Sequence, residues 1–484
     1  MIRRTCLTAL LLLLTACDAK IDPDEPVTVS VIGRPPAIID PSQKPYDRPT
    51  AVLLATVAQG LVRLDGAGQV EPGLAIRWDV SDDGLFYTFR LADGLPIDAE
   101  VAARRLRAAI GPTSRNPLKP VLGAIAEVVA VTPEILEIRL SAPRPELLQL
   151  LAQPALALIG PDGGSGPLTI AERGRDLLRL TPLLPDKAEP IDEDARRRQE
   201  IVLRGEKAAL AVARFRDGGG GVVTGGTFAD LAIARAAGPR PRQLHFDPAV
   251  GLFGLEVVAT PPFLQAAENR AALAMAIDRQ RIATLFGARE WRIETALVPA
   301  GTAEIATPTQ PGWLPLDLVA RADRAKAQVA VWRAAAAEPP APLRVAMPAG
   351  PGARLLFALI RQDWSRIGVE AVAVPTGARA DLRLIDSVAP GDGASWWLSR
   401  FRCGDSPICS EQSDLALDAA HAAPTLEERA RWLREAEARL SDLVPFIALA
   451  QPLRWSLVAP GLDGWRDNPR AAHPLIHLRE NGGR

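Results

Sequence analysis

The residues of this 484-residue chain whose types could perform covalent chemistry fall into no catalytic motif. The four histidines, His245, His421, His473 and His477, are scattered, and no His-Glu-x-x-His pair exists to hold a catalytic zinc. There is no Gly-x-Ser-x-Gly elbow, and the glycine run Gly218 to Gly221 is not followed by the Lys-Ser/Thr of a phosphate loop. The run reads instead as a flexible loop. No catalytic residue, metal ligand set or cofactor is therefore expected. Cysteine is more informative. Cys6 lies in an apolar N-terminal run and Cys17 just after it, leaving Cys403 and Cys409 as a pair. Gly404 and Pro407 between them let a short loop close, and an exported chain favours oxidation, so a disulfide is expected. Zinc is the competing reading, but two cysteines without a nearby histidine make an incomplete set.

The N-terminus supports export. Arg3 and Arg4 precede the apolar stretch Leu7 to Leu14, which is shorter than the ~20 residues that a permanent membrane helix needs. Leu14-Thr15-Ala16-Cys17 fits a bacterial lipobox. Residues 1–16 are read as a lipoprotein signal peptide, Cys17 as the lipidated first residue of the mature chain, and 17–26 as an acidic tether; an ordinary signal peptide with an incidental cysteine is the alternative. Asp18 resembles a retention signal for the outer leaflet of the inner membrane, so the expected location is periplasmic and lipid-anchored. A formal net charge of −1 argues against nucleic acid as a partner, since that needs a concentrated basic surface. The length predicts two or three domains. Only Tyr46 and Tyr87 supply phenols, so a binding site must use tryptophan, phenylalanine and other polar groups.

The elements that would position such a site are legible in places. Between Gln59 and Gly94, a strand at Leu61 to Leu64 meets a turn at Asp65-Gly66-Ala67-Gly68. Ile76, Trp78 and Val80 alternate with polar residues, and Ser81-Asp82-Asp83-Gly84 turns the chain into Leu85, Tyr87, Phe89 and Leu91. This predicts an antiparallel hairpin with one buried face. Asp98 caps a helix over Ala99 to about Ile110. Arg196-Arg197-Arg198 reads as a solvated helix face. Asn269 is expected to cap a helix that carries Leu273, Ala276, Ile277 and Leu285 and closes at Gly287. Leu343 to Met347, Arg354 to Ile367 and Val369 to Val374 form a βαβ unit, implying a parallel sheet. Thr425 and Glu428 make a capping box for a helix whose stripe is Leu433, Ala436, Leu440 and Leu443.

These segments resemble the family 5 extracytoplasmic solute-binding proteins, the oligopeptide, dipeptide and nickel binders of ABC importers. The resemblance rests on Pro72-Gly73-Leu74-Ala75, Trp78 and Ser81-Asp82-Asp83-Gly84, then on Asn269 to Gly287 with its Asp278-Arg279, and on Val444 to Leu449 and Gly461 to Trp465. Residues 188–241 depart most from the family pattern. The resemblance implies an α/β, two-lobed periplasmic-binding-protein fold (type II, cluster C-like) with mixed sheets and an extra subdomain in lobe I. Lobe I would span 27–255 and lobe II 256–445, and 446–484 would return to lobe I along Val444 to Leu449. It implies a monomeric receptor that closes on a peptide or similar small solute and delivers it to a membrane permease served by an ATPase. In peptide-binding members an aspartate receives the α-ammonium; the nearest match here is Asp392, four residues before Trp396 and Trp397, which would wall the cleft. A diverged lipoprotein that keeps the fold for a structural or interaction role, without a transported ligand, is the alternative.

Overall fold

The computed structural model describes residues 24–160, 163–184, 192–288, 291–336, 341–462 and 464–479. The signal peptide, Cys17 and most of the expected tether lie outside them. Three sheets organise the described chain. In the seven-stranded sheet Val27–Ile32 is central, pairing in parallel with Ile201–Glu206 and Val222–Thr227; its Val29 and Val31 are fully buried, as an apolar strand covered on both faces requires. The antiparallel Arg454–Val458 and Leu244–Asp247 complete one edge. The five-stranded sheet runs Ala371–Pro375, Leu343–Met347, Leu382–Val388, Gly251–Val257, Phe446–Ala450. Its first two strands are parallel and joined by the helix Pro351–Arg366, the expected βαβ unit. A four-stranded antiparallel sheet, Ala75–Val80, Phe86–Leu91, Ile135–Leu140 and Ile125–Thr132, packs on the helix Ala99–Ile110 with a core of its own. The fold is two-lobed and mixed α/β, with this smaller unit as the subdomain of the first lobe.

Local signals explain most elements. Asp98 accepts a hydrogen bond from the Val101 amide, and Thr425 from that of Glu428, each satisfying an N–H that its helix leaves open. Asp65 Oδ1 accepts from the amides of Ala67 and Gln69, fixing the turn in which Gly68 takes φ +78°. The three arginines at 196–198 lie on Glu193–Gln199, a helix without a buried residue. Gly218 and Gly219 donate to the carbonyls of Phe215 and Arg214, so the glycine run terminates the helix Ala208–Arg216.

Five expectations are corrected. In the hairpin, Tyr87, Phe89 and Leu91 are buried, but Ile76 and Val80 are 53% and 43% exposed, because Ala75–Val80 is the edge strand and a register shift between Ala75 and Arg77 turns it. The helix expected from Asn269 to Gly287 is two helices, Ala267–Ala276 and Arg279–Phe286. Asn269 is interior and buried, donating to the Phe263 carbonyl and accepting from Gln328. Asp278 caps the second helix, and the break turns Leu285 outward, 54% exposed. Finally, Phe446–Ala450 pairs with Gly251–Val257 inside the five-stranded sheet; the chain returns to the first lobe at Arg454–Val458. The crossings between the two large sheets thus fall between Asp247 and Gly251 and between Ala450 and Arg454. Gln451 ties them together, its Oε1 accepting from the Gly251 amide at 2.9 Å.

Candidate functional site: a cleft between the lobes

The space between the lobes is a cavity of about 760 Å³, within the ~300–1,000 Å³ usual for small-ligand clefts. Several distant segments wall it. The helix Arg48–Val57 is started by Asp47, whose Oδ1 accepts from the Thr50 amide, and by Pro49 in the first turn; Leu53, Leu54 and Val57 anchor it on the seven-stranded sheet. That anchoring presents Tyr46, Arg48 and Val52 to the cavity. The start of the hairpin region adds Gln59, Arg63 and Leu64; Gln59 is itself held by a bond to the Ser165 carbonyl. The second lobe contributes Asp386 at the end of Leu382–Val388 and Trp396 beyond it, while Arg454, Arg470 and His473 come from the returning segment.

Arginine dominates the charge of this wall. Arg48, Arg63, Arg115, Arg454 and Arg470 line the cavity, against the carboxylates of Asp47 and Asp386. Three of the arginines are directly paired: Arg63 with Glu71 at 2.6 Å, Arg454 with Asp386 at 2.6 Å, and Arg470 with Asp392. Arg48 is different, making one long hydrogen bond, 3.4 Å, to the Ala471 carbonyl. Burial, with Arg454 adding to it, pulls its guanidinium down to about 10, still cationic at neutral pH. Burial pushes the Tyr46 phenol up to about 12, so it remains a donor. His473 is fixed by Asp247 at 3.1 Å and stacks on Trp465, centroids 3.8 Å apart.

The residues expected from the sequence are placed as follows. Trp396 lines the cavity and packs against both the subdomain core and the second-lobe core. Trp397 is 1% exposed and lies beneath, edge-on to Trp396. Asp392 is not among the cavity-lining residues; it faces Arg470, and Gln149 Nε2 donates to its Oδ2 at 2.7 Å. Cys403 and Cys409 are joined, their Cα atoms 5.1 Å apart, in a loop pinned by the Cys403 amide donating to Asp414. Asp278-Arg279, the most specific dipeptide of its segment, is architectural: Arg279 is buried and donates to the carbonyls of Ala274, Glu294 and Ala448. Among the described residues no cluster of His, Cys, Asp and Glu could hold a metal ion, and no helix is long and apolar enough to cross a membrane. The cavity arginines were missed, for they come together only through the fold.

Residues 69–177, which include the subdomain sheet, match the family described as bacterial extracellular solute-binding proteins, family 5 Middle. That match covers less than a quarter of the chain. The probable deoxycholate-binding periplasmic protein YgiS of Escherichia coli K12 is 31% identical over 144 residues, 25% of this chain and 27% of the relative. The nickel-binding periplasmic protein of the same organism is 36% identical over 104 residues, 20% of each chain. These alignments span about a quarter or less of the curated relatives' length. The structural likeness is far longer. The Escherichia coli murein tripeptide binding protein MppA superposes with TM-score 0.78 at 19% identity, over 94% of this chain and 98% of that one. Its unliganded open form gives 0.64. Haemophilus influenzae OppA, in complex with the peptide RPPGFSPFR, gives 0.78 at 16% identity, over the same shares. At these identities the likeness establishes the two-lobed fold.

Proposed function

We propose that this protein is a family 5 solute-binding protein, the substrate-binding component of an ABC importer, closing its lobes on a peptide or similar small solute and presenting it to a membrane permease. The observation that carries this reading is the cavity of about 760 Å³ lined by residues of both lobes, which two chain crossings join. Such a geometry converts occupancy into shape: a ligand touching both walls stabilises the closed arrangement by its differential affinity for it. The relatives named above are called binders of deoxycholate, nickel, a murein tripeptide and a nonapeptide, so the family accommodates unlike solutes on one frame. Within the cleft Trp396 offers an aromatic wall. Asp392, bonded to Arg470 and Gln149, serves closure rather than direct ligand capture. Lipidation at Cys17 would keep the receptor near its permease, as a periplasmic, inner-membrane-anchored monomer, and the Cys403–Cys409 disulfide suits that oxidising compartment.

Native mass spectrometry of the freshly purified, delipidated protein tests the reading. A peptide ladder or one discrete adduct, lost on mild denaturation, is the expected result. A bare mass under several growth conditions, with no ligand-induced change in shape, would sink solute capture and favour a structural role. Free-thiol titration of the exported protein checks the disulfide in the same preparation: two reactive thiols would rule it out.

A further inference from the structure

The charge pattern of the cleft bears on what it holds. Each carboxylate near the half-buried Arg48 guanidinium is already committed. Asp47 caps its helix and pairs with Arg34 at 3.3 Å; Asp386 pairs with Arg454; Asp247 pairs with His473 and accepts from the Asn468 amide. Asp386 and Asp247 act on Arg48 only at longer range, while Arg454 opposes them. A guanidinium carries five N–H donors in a planar fork; among the described residues Arg48, which lines the cavity, bonds one acceptor, the Ala471 carbonyl, so most of its donors have no protein partner. Arg115, exposed on the same wall, makes no side-chain ion pair or hydrogen bond among the described residues. Around them the wall is mostly apolar: Val52, Leu64, Leu118, Ala152, Ala155 and the ring of Trp396. A buried charge without a hydrogen-bonded partner is costly, and a cleft that keeps one open gains most from a ligand that supplies the counter-charge.

We infer that the solute is an apolar-bodied anion whose carboxylate, or equivalent oxyanion, docks on Arg48 and Arg115 while its body lies against the Trp396 side of the cleft. This rests on the solute-binding reading and narrows it to a charge class. Planar bidentate pairing of guanidinium with carboxylate supplies the orientation, and exclusion of water on closure strengthens it. The polarity is opposite to capture of a peptide ammonium by Asp392, whose charge Arg470 already answers.

The test uses a matched probe set, decanoate, decylammonium and decanol, below their aggregation concentrations. Binding is followed by calorimetry and thermal shift for the wild type and the Arg48→Gln, Arg48→Lys and Arg454→Gln variants. The expected result is that decanoate binds at least tenfold more tightly than either analogue. Arg48→Gln should weaken it by roughly 10- to 100-fold, with partial rescue by Arg48→Lys. Ligand-free Arg48→Gln should melt at or above the wild-type temperature, because no carboxylate loses its partner. Arg454→Gln, which strands Asp386, should melt lower and serves as the structural control. Equal or better binding of decylammonium or decanol, or an undiminished decanoate preference in Arg48→Gln, would overturn the inference. So would a native adduct identified as neutral or cationic, which would leave solute capture standing. Absence of both probe binding and any native adduct would overturn the two together.

Discussion

At the scale of single residues, close approach rather than chemistry sets the strictest constraints. Gly226, on the strand Val222–Thr227, lies so near the indole of Trp455 that a Cβ there would sit 2.1 Å from its Cε2. Trp455 is fully buried and its Nε1 donates to the Thr227 carbonyl at 2.9 Å, so the ring cannot move aside without losing that bond. Gly226→Ala should therefore destabilise the protein by at least ~1–3 kcal/mol, the usual cost of overpacking a filled core, read as a lower urea midpoint with unchanged slope. An unshifted midpoint would show that the indole has room to rotate. Glycine identity at 226 is visible in the sequence, but its reason is not: the tryptophan that occupies the space comes from the far end of the chain. The same holds for the cleft arginines at 48, 63, 115, 454 and 470, whose sequence spacing follows no motif. Trp396 was legible because it follows Asp392 at the spacing of the family's ligand motif; Arg48 was not, because one arginine among many carries no local signal.

At the scale of elements, the sequence disclosed those whose signals are local and missed those decided by neighbours. Caps at Asp98 and Thr425 and the parallel βαβ unit follow from side chains a few residues apart. The split between Ala267–Ala276 and Arg279–Phe286 does not, since Arg279 must leave the first helix to reach the carbonyls of Glu294 and Ala448. A comparable long-range arrangement docks the helices Glu411–Ala422 and Leu426–Leu443 against the subdomain. Arg429, 1% exposed in its side chain, bonds Glu146 at 2.7 Å and Glu304 at 3.0 Å, and Arg144 donates to the His421 carbonyl at 2.6 Å. The His421 imidazole lies among these cations: burial first, then Arg144, Arg429 and Arg402, hold it down at about 4, opposed by Asp418. Above about 6.5 it is neutral whether the chain is folded or unfolded. Between there and about 4 the unfolded chain binds the proton and the folded one does not, so stability falls as pH falls, by at most about 1.4 kcal/mol per pH unit. His421→Gln should flatten that part of the pH–melting curve relative to wild type. Parallel curves for the two proteins between pH 6.5 and 4 would remove His421 from the acid response.

At the scale of the whole molecule, the two lobes are held by contacts of two kinds. Those at the crossings, such as Gln451 with Gly251, and Arg454 with Asp386 at the base of the cleft, persist through a hinge motion that pivots on them. Those at the mouth must separate when the lobes part. Gln149 belongs to the second kind: its Nε2 donates to Asp392 Oδ2 at 2.7 Å and its Oε1 accepts from the Asp392 amide at 2.9 Å, so one subdomain side chain grips the second-lobe loop twice. Gln149 is not among the cavity-lining residues, so removing its amide changes closure while leaving the ligand's walls intact. Two such bonds, one to a carboxylate, contribute ~1–3 kcal/mol, enough to shift an open–closed ratio by roughly 5- to 150-fold. Apparent affinity falls with the fraction of molecules able to close, so Gln149→Ala should weaken the native ligand by up to that factor through faster release. Small-angle X-ray scattering should give the ligand-free variant a larger radius of gyration than the wild type, and saturating ligand should bring both to the same compact value. Equal radii without ligand, together with an unchanged release rate, would mean that the grip of Gln149 on Asp392 follows closure without favouring it.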